Sequence, residues 1–502
     1  MQADETILTP ATVSAATFGK LYSFPVDSYI FAQPLFVSAF TMVDGKSHNV
    51  LFAVTAHGTV YAFDADNRNP STGYLWKVSL IPANEEAVTP ADFNCPGPFP
   101  ESVAIGTPVI DRTGGALYVV SKTKSIASGS VKYIQRIHAL NLADGTEKYM
   151  GPTVIQATVA GTGDGSTTVT FNPLVENQRA ALTLSAGSVY IAWASHCDMG
   201  PYHGWVLGYN ARNLSQQTAV FNDTPNGVEG GIWMGAGGIT TDAEGSLYLI
   251  SGNGTFDADT SGSNYSSTTL KLSPGASGLS ISDYFTPSNQ ENLSAGDLDP
   301  GTTDAMLFPS VVGGTADLVF SSDKTGRVYI LDANNLGKYR AGANGIDLKN
   351  GDLQDFSVGG YLFRQPAYFN GKVYIGAEGL PLQAFSVQPG MGNAKGTLNT
   401  APVSTSLNVF SDAFIIGGTS PIISANGTQG AIVWAIDNFN GPTVLHAFDA
   451  SNLAIELYNS TQAANNRDES VPQVEFQSPV IANGHVFLAG KSSIAVYGLL
   501  SK

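Results

Sequence analysis

The sequence predicts an all-β protein, an eight-bladed β-propeller of four-stranded antiparallel blades that forms one domain over residues 1–502. Three observations lead to this prediction. Gly accounts for 55 residues and Pro for 26, as expected of a chain with many tight turns. A pattern of short apolar strands recurs eight times at spacings of about 50 to 77 residues, the size of one propeller blade. No helical heptads interrupt this pattern, and no linker is long enough to separate a second domain.

Each repeat contains an apolar middle strand and a third strand that ends in a small, an aromatic and an acidic residue or a related triplet. The third strands are "VYAFDADN" (60–67), "IHALNLAD" (137–144), "VLGYNARN" (206–213), "TLKLSPG" (269–275), "VYILDANN" (328–335), "LQAFSVQP" (382–389), "LHAFDASN" (445–452) and "IAVYGLL" (494–500). A sheet with two apolar faces cannot bury both alone, so the eight sheets are expected to stack around an axis. The N-terminal "GKLYSFPV" (19–26) is expected to form the outer strand of the last blade and to close the ring.

Charge and hydropathy argue against several classes of partner. The formal net charge is −17, with 24 Lys and Arg residues and no basic cluster, which argues against nucleic acid or an anionic membrane. No apolar run approaches the roughly 20 residues of a membrane-spanning helix. The start, "MQADETILTP", has no basic and apolar leader, so either there is no signal peptide or a mature form carries a new Met. An acidic, Lys-poor chain with two cysteines favours an extracellular or periplasmic location.

The strongest candidate site is "GGIWMGAGGITTDAEGSLYLISGNGTF" (230–256). Five glycines occur between Gly230 and Gly238, on both sides of Trp233. Glycine is costly in chain entropy unless the backbone must approach another group closely. Two interpretations follow: Trp233 is a platform under a flat ligand, or it packs between blades and the glycines form a tight corner.

The repeats resemble the quinoprotein alcohol dehydrogenase-like propellers, the fold that binds pyrroloquinoline quinone (PQQ). The resemblance covers nearly the whole chain and includes the motif that locks neighbouring blades in that family. "AFDADNRNPSTGYLW" keeps this motif with Trp76, and "ALNLADGTEKY" keeps a weaker copy with Tyr149 in the Trp position. The resemblance implies a PQQ- and calcium-dependent oxidoreductase.

The same resemblance suggests residues for the cofactor site. Trp233 would be the floor under PQQ, and Asn253 in "SGNG" would be a calcium ligand. Lys324 in "SSDKTGRVYILDANN" would reach the ortho oxygens of the quinone. In "ASHCDMGPYHGW" the position of the acidic calcium ligand falls on Met199, and the neighbouring Asp198 supplies the carboxylate that calcium needs.

The family's catalytic Asp has no direct counterpart in this chain. It is expected in a Gly-Asp-Asn before the next strand, where "TSGSNYSSTTLKLS" offers Gly262 or Ser263. Asp257 and Asp259 in "GTFDADT" are the nearby acids that would substitute as general base. The heme-attachment motif Cys-X-X-Cys-His is absent, which implies a separate external electron acceptor.

The two cysteines allow two interpretations. The family often has two adjacent cysteines that form a small disulfide ring over the cofactor, whereas here Cys95 and Cys197 lie in loops of neighbouring blades. A disulfide between them would pin the mouth of the central channel and contribute roughly 4 kcal/mol in the chain-entropy model; two free buried thiols are the alternative. The spacing of His196, Cys197 and His203 is also compatible with a copper or zinc site.

The sequence leaves three functions open. The first is a secreted or periplasmic dehydrogenase of alcohols or sugars that uses PQQ and calcium. The second is a cofactor-free propeller that acts as a scaffold for a glycan or a protein. The third is a non-redox carbohydrate-active enzyme that uses His196, His203 and Tyr202 at the central channel.

Overall fold

The computed structural model shows eight antiparallel sheets of four main strands each, arranged as a β-propeller, which confirms the predicted fold class. It describes residues 2–69, 73–95, 99–127, 129–235, 237–276, 278–340, 352–391, 395–411, 417–437 and 441–501. In this part of the chain the one α-helix is α1 (Gln290–Ala295), and short 3₁₀ turns cover Pro90–Asp92, Ala258–Thr260, Ser460–Gln462 and Ala464–Asn466. None of the helices in the described ranges is both long enough and apolar enough to cross a lipid bilayer.

The first four blades follow the strand β1 (Phe18–Pro25). Blade 1 contains β2 (Leu35–Thr41), β3 (Ser47–Val54), β4 (Thr59–Asp64) and β5 (Tyr74–Ser79). The short β6 (Glu86–Ala87) precedes blade 2, which contains β7 (Val109–Asp111), β8 (Ala116–Ala127), β9 (Ser130–Asn141) and β10 (Thr153–Val154). A hairpin of β11 (Thr158–Ala160) and β12 (Thr168–Thr170), and then β13 (Glu176–Asn177), precede blade 3, with β14 (Thr183–Ser185), β15 (Ser188–Ser195), β16 (Trp205–Asn210) and β17 (Asn213–Asn222). Blade 4 contains β18 (Thr240–Thr241), β19 (Leu247–Ile250), β20 (Thr269–Gly275) and β21 (Gly278–Thr286).

The last four blades continue the pattern. Blade 5 contains β22 (Met306–Phe308), β23 (Leu318–Ser322), β24 (Arg327–Asp332) and, after β25 (Lys338–Tyr339), which pairs in parallel with β21 of blade 4, β26 (Gln354–Ser357). Blade 6 contains β27 (Ala367–Phe369), β28 (Lys372–Ile375), β29 (Pro381–Gln388), the short β30 (Thr397–Leu398) and β31 (Ser404–Val409). Blade 7 contains β32 (Ile422–Asn426), β33 (Gln429–Asp437), β34 (Val444–Asp449) and β35 (Glu456–Asn459). Blade 8 contains β36 (Val480–Ala482), β37 (His485–Ala489) and β38 (Ser493–Leu499) together with β1.

Local sequence explains the hairpins between the first and second strands of two blades. Asn370–Gly371 in blade 6 and Asn483–Gly484 in blade 8 have positive φ at both residues. This is the conformation of a type I′ turn, which Asn-Gly adopts at low cost and which matches the twist of the flanking strands. The turns therefore fix the register of β27 with β28 and of β36 with β37.

The hydrophobic core is divided among the blade interfaces. Eight apolar clusters each combine side chains of two neighbouring blades, so that every interface of the ring has one in the described residues. Trp76 of blade 1 packs in the first interface and donates from Nε1 to the carbonyl of Leu142 of blade 2, 2.9 Å away. The blade-locking role predicted for Trp76 is thus visible as a hydrogen bond between blades.

The ring closes where the sequence predicts. Strand β1 pairs with β38 from Phe18 opposite Leu499 to Pro25 opposite Ser493. The buried carboxylate of Asp468 accepts hydrogen bonds from Lys20 N at 2.9 Å, Arg467 Nε at 2.7 Å and Tyr458 Oη at 2.8 Å. Burial opposes ionisation of this carboxyl, but the hydrogen bonds from these donors outweigh it and lower the pKa of Asp468.

Replacing Asp468 by Ala is expected to lower the free energy of unfolding by about 3 kcal/mol, because three donors, one of them the buried Tyr458, lose a charged acceptor. Since the pKa of Asp468 is lowered in the folded state, this stabilisation is present at neutral pH and is lost as the pH falls below about 4. Urea denaturation at pH 7 and at pH 3.5 measures both effects. The neighbouring Glu469 has an exposed side chain, so Glu469→Ala is the matched control and should change stability little. Equal losses in the two variants would contradict the role of Asp468.

Candidate functional site

A cavity of about 350 Å³ opens at one end of the propeller. Its walls come from loops that precede the first strand of a blade and from loops between the second and third strands. In an antiparallel blade these two kinds of loop lie at the same edge, so the ring brings eight sets of them together. Seven of the ten site residues predicted from the sequence line this cavity: Cys95, His196, Cys197, Asp198, Trp233, Asn253 and Lys324.

The glycine-rich stretch places the indole of Trp233 in the cavity wall. Its neighbours Ile232 and Met234 are buried in the apolar cluster between blades 3 and 4. A Cβ on Gly252 would lie 2.9 Å from Trp233 Cδ1, and a Cβ on Gly231 would lie 3.0 Å from Trp233 Nε1. A Cβ at Gly252 would also lie 2.7 Å from Asp299 Oδ2, so glycine at these two positions lets the backbone lie against the indole. This arrangement favours the platform interpretation of Trp233 over the corner interpretation.

One flank of the cavity is a hydrogen-bonded cluster of an amide, two carboxylates and a lysine. Asn253 follows β19, Asp297 and Asp299 follow α1, and Lys324 lies in the hairpin between β23 and β24. Lys324 Nζ is 2.9 Å from Asp299 Oδ1 and also contacts Asp297 Oδ1. Asn253 Nδ2 donates to Asp297 Oδ1 at 2.8 Å, and the backbone N–H of Asn253 donates to Asp299 Oδ2 at 3.0 Å. Three separate loops thus converge on two carboxylates.

Burial and charge divide the roles of these groups. Burial raises the pKa of Asp299 to about 6, although the nearby Lys324 ammonium opposes this shift. Burial lowers the pKa of Lys324, but the charges of Asp299 and Asp297 outweigh it, so that the pKa of the lysine is raised and the side chain stays cationic. The side chain of Asp297 is 59% exposed and lines the cavity, whereas that of Asp299 is 2% exposed. Of these two carboxylates, Asp297 is therefore the one that a small ligand in the cavity can reach.

Further acidic groups lie near the same flank. Tyr202 Oη donates to Asp198 Oδ1 at 2.9 Å. Burial raises the pKa of Glu229, and the charges of Asp198 and Asp297 raise it further, which places both carboxylates within electrostatic range of Glu229. Asp198 therefore belongs to the same acidic region as the Asn253 and Asp297 cluster.

The predicted disulfide between Cys95 and Cys197 is present, with a Cα–Cα distance of 5.8 Å. It joins the loop before blade 2 to the loop between β15 and β16, and both sulfur-bearing residues line the cavity. The alternative of two free thiols is thereby excluded, since this bond contains both cysteines of the chain.

The two histidines of the loop have separate protein partners. His196 stacks on Phe93 at a centroid distance of 3.9 Å, and its Nε2 lies 2.9 Å from Lys122 Nζ. His203 is buried, with Nδ1 3.0 Å from Thr224 Oγ1 and Nε2 3.3 Å from Asp164 Oδ1. With Cys197 in a disulfide, the His196, Cys197 and His203 set has lost its thiolate. No group of three or more His, Cys, Asp or Glu side chains suited to a metal occurs among the described residues.

Lys122 beneath His196 should give the protein a measurable pH dependence. The side chain is 5% exposed, and burial lowers its pKa to about 7 although the charge of Glu176 opposes the shift. The unfolded chain then binds more protons than the folded protein between pH 7 and 10, so stability should rise with pH in this window. Lys122→Met is expected to remove this contribution. The difference in the free energy of unfolding between the variant and wild type should then change with pH by up to about 1 kcal/mol per pH unit. Urea unfolding at pH 7, 8 and 9 tests this, with the exposed Lys132→Met as control; parallel curves for wild type and Lys122→Met would contradict it.

A second cation lines another part of the cavity. The guanidinium of Arg179 lies 3.9 Å from the ring centroid of Phe476, and the neighbouring Glu475 acts on it electrostatically. Within the described ranges, the guanidinium of Arg179 forms no hydrogen bond or ion pair with another residue. Its N–H donors are therefore available to an anionic ligand in the cavity.

The acids that the sequence suggested as general base lie elsewhere. Neither Asp257 nor Asp259 lines the cavity. The carboxylate of Asp257 accepts hydrogen bonds from Asn264 N at 2.8 Å and Asn264 Nδ2 at 2.6 Å, so it stabilises the loop in which it lies. Asp259 is exposed, and its charge acts on Tyr284 and Tyr339 at the outer strands β21 and β25.

Sequence reasoning missed Asp297, Asp299 and Arg179. A signal for the first two was present as "DLDPG" (297–301), an Asp-X-Asp in the loop before the first strand of blade 5. The position is equivalent to that of Trp233 before blade 4. Arg179 in "NQRAAL" (177–182) also precedes a first strand, β14. Loops before first strands therefore supply cavity residues in several blades, and this shared position is the signal that could have found all three.

Comparison with known proteins supports the fold of this chain and nothing beyond the fold. No protein-family model and no curated protein matches the sequence. Among solved structures, the chain is similar to the quinohemoprotein alcohol dehydrogenase from Comamonas testosteroni, with a TM-score of 0.59 and 14% identity over 99% of this chain and 78% of that one. It is also similar to a europium-containing methanol dehydrogenase, with a TM-score of 0.57 and 12% identity over 99% of this chain and 95% of that one. The molecule is thus an eight-bladed β-propeller whose fold is similar to that of these two dehydrogenases.

Proposed function

We propose that the protein is an oxidoreductase that binds PQQ with calcium in the central cavity and oxidises a small alcohol or a sugar. The observation that carries this proposal is the combination of a flat indole, Trp233, with two cations, Lys324 and Arg179, in one cavity of about 350 Å³. An aromatic platform suits a planar ring system, and cations suit a ligand with carboxylates. The volume is that of a small-molecule site.

The residues present fit a calcium ion. Asn253 Oδ1 is buried and accepts no hydrogen bond from the described part of the chain. Carboxylates of Asp198 and Asp297 line the same cavity, and calcium prefers such amide and carboxylate oxygens. Asn253, Asp198 and Asp297 are therefore the proposed ligands, and the buried amide oxygen would gain the partner it lacks.

The proposed chemistry assigns each group of the flank a task. Bound PQQ supplies a two-electron acceptor, which no side chain provides. Asp297 takes the proton of the substrate hydroxyl, because it is the one of the two carboxylates paired with Lys324 that lines the cavity. Asp299 positions Lys324 through their ion pair, and Lys324 Nζ in turn contacts the carboxylate of Asp297. Asp297 thereby takes the role for which the sequence offered Asp257 and Asp259.

The cellular setting follows from the same features. The disulfide favours an extracellular or periplasmic location, where such bonds persist. The chain has no heme-attachment motif, so electrons would pass to an external acceptor.

Titration of EDTA-treated protein with PQQ and calcium, followed by absorbance and calorimetry, tests the proposal. Binding of PQQ at roughly micromolar concentration that requires calcium would support it and lead to alcohol and sugar oxidation assays with an artificial acceptor. Absence of binding would overturn it in favour of a cofactor-free scaffold, to be screened against oligosaccharides and partner proteins.

A further inference from the structure

The disulfide in the cavity wall is directly followed by one of the proposed cation ligands. Cys197 is bonded to Cys95, and the next residue, Asp198, lines the cavity. Cys95 itself is held firmly: it is 5% exposed, packs in an apolar cluster with Val88 and Phe93, and donates from its backbone N to Pro90 O at 3.3 Å. The loop of Cys197 is therefore attached to a buried residue that packs in the loop before blade 2.

The backbone of this loop is strained at two consecutive positions. Cys197 and Asp198 both have φ of 50°, a left-handed conformation that residues with a Cβ rarely adopt. Such a conformation persists where surrounding contacts hold it in place. The disulfide holds the first of these residues, and the hydrogen bond from the buried Tyr202 to Asp198 Oδ1 holds the second.

We infer that the Cys95–Cys197 disulfide positions the Asp198 carboxylate for cation binding, so that the affinity of the cavity for calcium depends on the redox state of this bond. The inference rests on the cation site of the proposed function. Reduction would free Cys197 from its anchor, and the loop would relax from its left-handed conformation and withdraw the carboxylate. Outer groups that orient a metal ligand typically affect affinity by roughly 10- to 100-fold, which is the size of effect expected here.

The redox step is an ordinary exchange with a dithiol. A small dithiol such as dithiothreitol attacks the disulfide, whose two cysteines line the open cavity. The S–S bond breaks, two electrons and two protons pass to the protein as two thiols, and the dithiol closes to a cyclic disulfide. Removal of the dithiol and exposure to an oxidant reverses the reaction.

Calorimetric titration of the full chain with calcium alone tests the inference. EDTA-treated protein is titrated in the oxidised form and after reduction, with circular dichroism to verify that both forms are folded. We expect the Kd for calcium to rise roughly 10- to 100-fold on reduction and to recover on reoxidation. Tyr202→Phe, which keeps the disulfide but loses the hydrogen bond to Asp198, should weaken calcium binding in the oxidised form.

The variant Asp198→Ala distinguishes two effects of reduction: loss of the position of the Asp198 carboxylate, and a general loosening of the cavity. If the disulfide acts through Asp198, this variant binds calcium weakly and its Kd no longer changes on reduction. An equal change on reduction in Asp198→Ala and wild type would overturn the inference. So would an unchanged Kd in reduced wild type, which leaves the proposed function intact. Absence of calcium binding in the oxidised protein would overturn the inference, and the titration with PQQ and calcium together would then decide the proposed function. The double variant Cys95→Ser/Cys197→Ser should have the same Kd for calcium as reduced wild type, and dithiothreitol should not change it. If this variant does not fold, the comparison of wild type with Asp198→Ala still tests the inference.

Discussion

Replacing Trp233 by Ala is expected to weaken binding of PQQ roughly 100-fold, a loss of about 3 kcal/mol, because a planar ligand loses the aromatic surface on which it lies. The indole lies in the cavity wall against the backbone of Gly231 and Gly252, whereas the other aromatic side chains that line the cavity are the smaller rings of phenylalanines. Trp233→Phe keeps a smaller ring and should lose about tenfold or less. Calorimetry and absorbance of PQQ in the presence of calcium give the three dissociation constants.

Trp76→Ala is the matched control for this experiment. Trp76 is buried between blades 1 and 2 and hydrogen-bonds Leu142, outside the cavity. Its loss should lower the unfolding midpoint and leave the Kd for PQQ unchanged in the folded protein. Trp233→Ala should weaken PQQ binding and leave the unfolding midpoint nearly unchanged, because Trp233 belongs to none of the apolar clusters formed by the described residues. An unchanged Kd in Trp233→Ala would show that PQQ, if it binds, lies elsewhere.

The fold was predictable because its evidence is local and repeated. Each blade carries its own alternation of apolar strands and turn residues, and every predicted third strand coincides with an observed one, from β4 to β38. Ring closure by β1 was predictable because a blade with three strands in sequence needs a fourth.

The site was predictable only in part, because it depends on which loops meet at the axis. Trp233, Asn253 and Lys324 stood in motifs that resemble a known family, and the structure brings them to one cavity. Asp297 could not be paired with Asn253 from spacing alone, since 44 positions separate them and a loop containing α1 intervenes. Asp257 is closer to Asn253 in sequence, but both of its carboxylate oxygens accept hydrogen bonds from Asn264 within the same loop.

Replacement of Asp297 by Asn should therefore lower kcat for alcohol oxidation by about 10²- to 10⁴-fold, the usual contribution of a general base. The amide cannot accept the hydroxyl proton, but it keeps the size of the side chain. Asn253 and Lys324, which contact Asp297, remain in place through Asp299. The Kd for PQQ is expected to change much less than kcat, although calcium affinity should fall because one proposed ligand loses its charge. Assays at saturating calcium separate the two effects.

Asp257→Asn provides the decisive comparison, because Asp257 is the acid that sequence reasoning placed in this role. Its carboxylate accepts two hydrogen bonds from Asn264, so the variant should have a less stable 257–264 loop and an unchanged kcat. Asp259→Asn, at an exposed position, should change neither. If Asp257→Asn lost activity and Asp297→Asn kept it, the loop would have to rearrange to reach the cavity, and the base assignment would return to Asp257. If Asp297→Asn alone is inactive, proton transfer depends on the one carboxylate that both lines the cavity and contacts the lysine.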